Sequence, residues 1–208
     1  MGTQGLVSLA GRETSMGQYL SKHLQVTGWE VLSPGEPATR PLSGMVFDAG
    51  LLGDATATLW PGAAEAFRAA VFGNLARFAD PADGGARVVA IASRDWLGAP
   101  GYADYAAVSG GLVAVVRSLA LELGRRGITI NLVVGLADHD QSQSDSETES
   151  SALPPPVVVD PGSLLPWAVS PDDVAATVAF LVDPRSSYIT GQVVYCCGGA
   201  SLLSSLSA

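Results

Sequence analysis

The side chains in this sequence that could carry chemistry are few, and their spacing is the first thing to weigh. Histidine occurs twice, as His23 and His139, each remote from any other metal ligand. The two cysteines are neighbours, Cys196 and Cys197. Adjacent cysteines rarely reach disulfide geometry, and two cannot fill a tetrahedral zinc site. They read as small buried groups in a strand, and no metal centre is expected. Lys22 is the single lysine, and the other ten cations are arginines. One pattern does point to a ligand. An apolar run, residues 5–10, opens into Gly11-Arg-Glu-Thr-Ser-Met-Gly17 and then into a helical repeat. A glycine-bearing strand-to-helix turn is how backbone N–H groups approach a phosphate, though such a turn alone is weakly specific.

The elements that would position these residues alternate along the chain. Strands are expected at 5–10, 30–32, 45–47, 87–92, 128–134 and 192–195. The run Arg87–Ala92 is nearly continuous in apolar residues, as in a parallel strand buried on both faces. Helices are expected after Met16, over 62–79, over 103–123, and over 172–182 behind Ser170-Pro171, a cap followed by proline. This alternation predicts an α/β fold: a Rossmann-type doubly wound parallel sheet in three layers. Residues 1–208 read as one domain. Within it, 136–166 is a polar loop holding the acidic, serine-rich stretch Asp138–Ser151.

Bulk properties narrow the function further. The chain is 48% hydrophobic and 15% charged, a globular composition. A net charge of −9 argues against nucleic acid and anionic membranes as partners. No apolar run is expected to reach the roughly 18–20 residues that span a bilayer, and no secretory leader is evident. A cytoplasmic, soluble protein is expected.

The stretch Arg87–Gly135, with Ser93, Tyr105, an Ala-rich helix and Arg126-Gly-Ile-Thr-Ile-Asn131, resembles the central block of short-chain dehydrogenases/reductases. So do Ser170-Pro-Asp-Asp-Val-Ala, Ser187-Tyr-Ile-Thr-Gly-Gln192 and Gly198-Gly199. Gly11, Gly17 and Asp48-Ala-Gly50 are weaker matches in the family's order. Within that family the chain resembles 3-oxoacyl-carrier-protein reductases, as a shortened and degenerate member. The resemblance implies hydride exchange between NAD(P) and an alcohol or ketone. Tyr105 would be the general acid/base and Ser93 the holder of the substrate oxygen. Gly11, Arg12, Ser15, Gly17, Asp48 and Gly50 would mark the cofactor site. In the family, a lysine four residues after the tyrosine supplies the charge that makes the phenol a usable base. A free phenol, with a pKa near 10, is a poor base at neutral pH.

Here Ser109 stands in that lysine's place, and a hydroxyl supplies no full charge. The family's middle glycine is Ser15, its leading threonine is Ala10, and Phe47 and Asp48 replace two asparagines. Arg12 reads as a solvated arginine and Asn74 as ordinary helix surface. Residues 33–44 contain three prolines and cannot hold the two helices and one strand that the family places there. The third, edge strand and its helix are therefore expected to be absent. These losses predict that this chain holds no dinucleotide tightly. The first functional expectation is a non-catalytic subunit of a heteromeric NAD(P)-dependent oxidoreductase acting on a hydroxyacyl- or ketoacyl-type substrate. It would pair with an intact relative through helices 62–79 and 103–123. The alternatives are an active but atypical oxidoreductase using Tyr105 and Ser93, with NAD(P), and a small-molecule binding or regulatory protein.

Overall fold

The computed structural model describes residues 4–52, 59–99, 101–136, 164–165 and 168–203. Six strands form one parallel sheet: β1 Gly5–Gly11, β2 Trp29–Leu32, β3 Gly44–Asp48, β4 Ala86–Ser93, β5 Ile128–Gly135 and β6 Val193–Tyr195. Their order is β2-β1-β3-β4-β5-β6. The helices are α1 Ser15–Val26, α2 Ala63–Asn74, α3 Ala103–Leu123, α4 Pro171–Val182 and the short α5 Ala200–Leu203.

Strand alternation divides the core into two clusters, one on each face of the sheet. On one face Leu6, Phe47, Ala90 and Leu132 meet Phe67 and Val71 of α2 and Leu112, Val116 and Leu119 of α3. On the other, Val7, Val46, Ile91 and Val133 meet Met16, Leu20 and Leu24 of α1 and Val174, Val178 and Leu181 of α4. β3, β4 and β5 are buried along their whole lengths, as largely apolar strands sandwiched by helices must be. α3 is long and apolar enough to span a bilayer, contrary to the expectation that no segment would be. Eight of its side chains are buried in the protein, from Val108 to Leu123, so it serves here as a core helix.

The expected loss of the third strand is what the chain shows. β2 is the outermost strand, and residues 33–43 run from it to β3 as turns, with no helix or paired strand of their own. This connection is fixed at its far end. Leu42, fully buried, forms a parallel bridge to Phe78, with its N–H donating to Arg77 O at 2.7 Å. The same bridge corrects the extent of α2. The helix expected over 62–79 ends at Asn74, because Phe78 is drawn into the core beside Leu42 and residues 75–79 leave the helical path. Asn74 is accordingly not plain surface: its Nδ2 donates to Ala70 O at 2.9 Å and lies 3.8 Å from Met45 Sδ, closing the last turn.

The two motifs that carried the resemblance also pin each other. Asn131, fully buried in β5, donates to Ile189 O at 2.8 Å and accepts from Gln192 N at 3.1 Å. Thr190 Oγ1 accepts from Ile130 N at 3.0 Å. These bonds satisfy a buried amide and set the register in which β6 joins the sheet. α4 starts on a capping box: Ser170 Oγ accepts from Asp173 N, and the Asp173 carboxylate accepts from Ser170 N. Most of the acidic loop expected over 136–166 lies outside the described residues, as does His139.

Candidate functional site

In a doubly wound sheet the ligand crevice lies beyond the carboxyl ends of the strands, at the point where strand order reverses. Here that point is between β1 and β3, with the turn after β1 on one side and the turn after β3 on the other. Gly11 adopts a left-handed φ of +99°, and a Cβ there would sit 2.0 Å from Asp48 O. Only glycine permits this approach, which lets Arg12 N donate to Asp48 O at 2.9 Å. Gly50 is also left-handed, at +70°, with Arg12 Cδ 3.1 Å from where its Cβ would be. Gly17 differs: a Cβ there would meet Thr14 Oγ1 at 3.6 Å and Arg12 O at 4.0 Å, both ordinary contacts. No close approach requires that glycine in this chain.

The turn is occupied by its own side chains. Thr14 caps α1, its Oγ1 accepting from Gly17 N at 2.9 Å, and its hydroxyl donates in turn to Asp48 Oδ2. Asp48 Oδ1 accepts from Gly50 N at 2.8 Å. Asp48 is 3% exposed, and burial pushes its pKa up against the lowering effect of those two hydrogen bonds. Arg12, expected to be solvated, instead lays its guanidinium over the Trp60 ring, 5.4 Å from the centroid. Trp60 itself stacks on Phe47 at 5.8 Å. Ser15 is exposed at the first position of α1. Leu52 closes the crevice over β5: a Cβ on Gly135 would fall 2.7 Å from its Cδ1.

The second group of expected residues lies at the end of β4 and the start of α3. Tyr105 is half-buried, packed against the α2–α3 core, and meets Tyr102 edge-on at 6.1 Å. Ser109, one turn later, is fully buried, and its Oγ accepts from Ser93 N at 3.3 Å. The structure thus brings Ser93 and Ser109 together, through the backbone of one and the side chain of the other. The Ser93 hydroxyl turns into its own loop, donating to Asp95 Oδ2 at 2.7 Å and accepting from Asp95 N at 3.2 Å. Ser93 and Asp95 are both buried. Lys22 is exposed on α1, which packs on the opposite face of the sheet from Tyr105.

Thr14, Trp60, Leu52 and Asp95 are residues the sequence reading did not single out. Two of them left a signal. Thr14 directly precedes a helical repeat, a capping position, and Ser93-Arg-Asp95 has the spacing of a serine turn. The packing of Trp60 and Leu52 has no local signature.

A family model described as enoyl-(acyl carrier protein) reductase matches residues 63–201. The chain is a short-chain dehydrogenase/reductase. Among curated relatives of this family member, subunit BbsD of (2S)-[(R)-hydroxy(phenyl)methyl]succinyl-CoA dehydrogenase from Thauera aromatica is 41% identical over 121 residues, 56% of this chain and 45% of that protein. Subunit BbsC of the same enzyme is 36% identical over 121 residues, 58% and 45% of the two chains. The 3-oxoacyl-[acyl-carrier-protein] reductase FabG of Rickettsia felis is 36% identical over 103 residues, 49% and 40% of the two chains. This short-chain dehydrogenase/reductase therefore spans less than half the length of the curated relatives it matches. Its fold is that of a Burkholderia thailandensis oxidoreductase of the family, with a TM-score of 0.71 at 20% identity, covering 99% of this chain and 98% of that one.

The family generally uses NAD(P), so the turn can be tested against that group. The fit is poor. A pyrophosphate needs unspent N–H donors at a helix N-terminus and no opposing charge. Here Gly17 N is spent on Thr14, the N–H of Gly50 is spent on Asp48, and a buried carboxylate lies beneath the turn. The family's ammonium position is Ser109, and the single lysine, Lys22, lies on the other face of the sheet.

Proposed function

We propose that this chain is the non-catalytic subunit of a heteromeric NAD(P)-dependent oxidoreductase acting on a hydroxyacyl- or ketoacyl-type substrate. The observation that carries the proposal is the fate of the lysine position. Ser109 is fully buried and bonded to the backbone of Ser93, so the position that would activate Tyr105 has become part of the scaffold. Ser93, similarly, spends its hydroxyl on Asp95. The fold is retained while both halves of the chemistry have been converted to internal structure. Relatives bearing the names of two subunits of one (2S)-[(R)-hydroxy(phenyl)methyl]succinyl-CoA dehydrogenase support a shared assembly with an intact chain. The outer groove between α2 and α3, lined by Arg68, Phe72, Val115, Ser118 and Glu122, is the surface we assign to that contact.

The test is coexpression with a short-chain dehydrogenase/reductase from the same genome that keeps the Tyr and Lys. Co-elution, with NADH or NADPH binding only in the presence of the intact chain, is the expected result. Micromolar binding of either nucleotide by this chain alone, or its emergence only as a homo-oligomer, would overturn the proposal.

A further inference from the structure

A cavity of about 350 Å³ opens at the end of the sheet opposite the candidate site, beside the amino ends of β4 and β5. Its lining includes Gly84, Gly85, Arg87, Gly127, Thr129 and Tyr188. Arg87 and Thr129 are direct partners in the β4–β5 register, so their side chains stand together on the same face of the sheet. Both are buried, with 4% and 9% exposure. Arg87 Nη1 donates to Gly85 O at 3.3 Å, but Nε has no partner, and neither does Thr129 Oγ1.

An arginine buried to this depth ordinarily has an anion against it, because leaving a guanidinium desolvated and unpaired is costly. Among the described residues no carboxylate is bonded to it. Asp183 is the carboxylate whose field reaches Arg87, but its oxygens accept from the exposed Arg185, Nη2 at 2.7 Å and Nε at 2.9 Å. Two donors, one charged, thus line an open cavity with no acceptor for them among the described residues.

We propose that this cavity is a binding site for a small monocarboxylate with an apolar body, held by the Arg87 fork and the Thr129 hydroxyl. A planar guanidinium presents parallel donors at the spacing of the two carboxylate oxygens. A phosphate is served less well. The backbone N–H groups of the glycine rim are already committed, Gly84 to Pro81 O, Gly85 to Asp80 O and Gly127 to Gly124 O. One cation and one hydroxyl balance a single negative charge, and a dianion would lack donors. The remaining wall, with Pro81, Ile128 and the glycines, offers apolar contact to a ring or short chain. The cavity is at the small end of the range for ligand pockets.

The experiment is titration of the full ¹⁵N-labelled chain with sodium benzoate at constant ionic strength, with sodium phosphate as the second arm. Saturable shifts of the Gly85, Thr129 and Tyr188 amides by benzoate, and none by phosphate, are expected. Arg87→Met should remain folded, since an apolar chain replaces an unpaired buried charge, and should lose the response. Thr129→Val keeps the side-chain shape and should weaken benzoate about tenfold; it also carries the test should R87M fail to fold. No saturable shift up to about 50 mM benzoate, equal binding of phosphate, or unchanged affinity in Thr129→Val would each overturn the proposal.

Discussion

Replacing Asp48 by asparagine should stabilise the fold at neutral pH and leave it unchanged in acid. The carboxylate is 3% exposed, and its pKa is raised because desolvation outweighs the hydrogen bonds from Thr14 and Gly50. A group whose folded pKa exceeds its unfolded one favours the native state below the unfolded value. That contribution disappears as pH rises through the folded pKa, and above it the ionised form is the costly one. Asparagine keeps an oxygen for Gly50 N, now 2.8 Å from Oδ1, and can donate to Thr14 Oγ1 where the carboxylate accepted. It removes only the buried charge. A gain on the order of 1 kcal/mol is expected at pH 7.5, which in a domain of this size is about 2–4 °C in Tm. Urea unfolding at pH 7.5 and at pH 3.5 measures it. An Asp48→Asn protein that is less stable at pH 7.5, or whose gain is the same at both pH values, would refute the reasoning.

Other outcomes follow from the same geometry. Ser109→Lys should cost about 3 kcal/mol or more, because it puts an ammonium at a fully buried position; calorimetry checks this, and the variant should show no turnover of acyl ketones with NADH or NADPH. The pair Phe72→Glu and Ser118→Arg, on the outer α2–α3 groove, should abolish co-elution with the intact relative while moving Tm by less than about 2 °C. Ser170→Ala should cost about 1 kcal/mol by removing the α4 cap. The Asp173 pKa is lowered by the hydrogen bonds from Ser170, so the wild-type advantage should be present at neutral pH and fade as pH falls through the carboxylate range; denaturant titrations at pH 7 and pH 3 would show it.

Apolar periodicity was enough to locate all six strands and the four long helices, because each buries one or two faces and the burial is written in consecutive residues. The missing edge strand was legible too, since residues 33–44 hold three prolines in a span too short for a crossover helix. Features set by distant partners were not. The end of α2 depends on Leu42 pairing with Phe78, some 36 residues away, and nothing near Asn74 announces that bridge. Arg12 read as solvated because its neighbours in sequence are polar; its actual partner, Trp60, reaches it only through the fold. For Ser109 the sequence told what had been lost, a charge, but not that the hydroxyl would be tied to Ser93 N.

The connection that replaced the outer strand and its helix also leaves β2 with an outer row of peptide groups that no strand among the described residues pairs with. Such a margin invites another extended chain to add on, the first step toward aggregation. Three things discourage it: the strand is only four residues long, Glu30 sits exposed within it in a salt bridge to Arg40 at 2.7 Å, and Pro34, Pro37 and Pro41 follow in the segment that leaves it. These features shield the shortened sheet's margin, and a charge-removing change at Glu30 is where that protection would first give way.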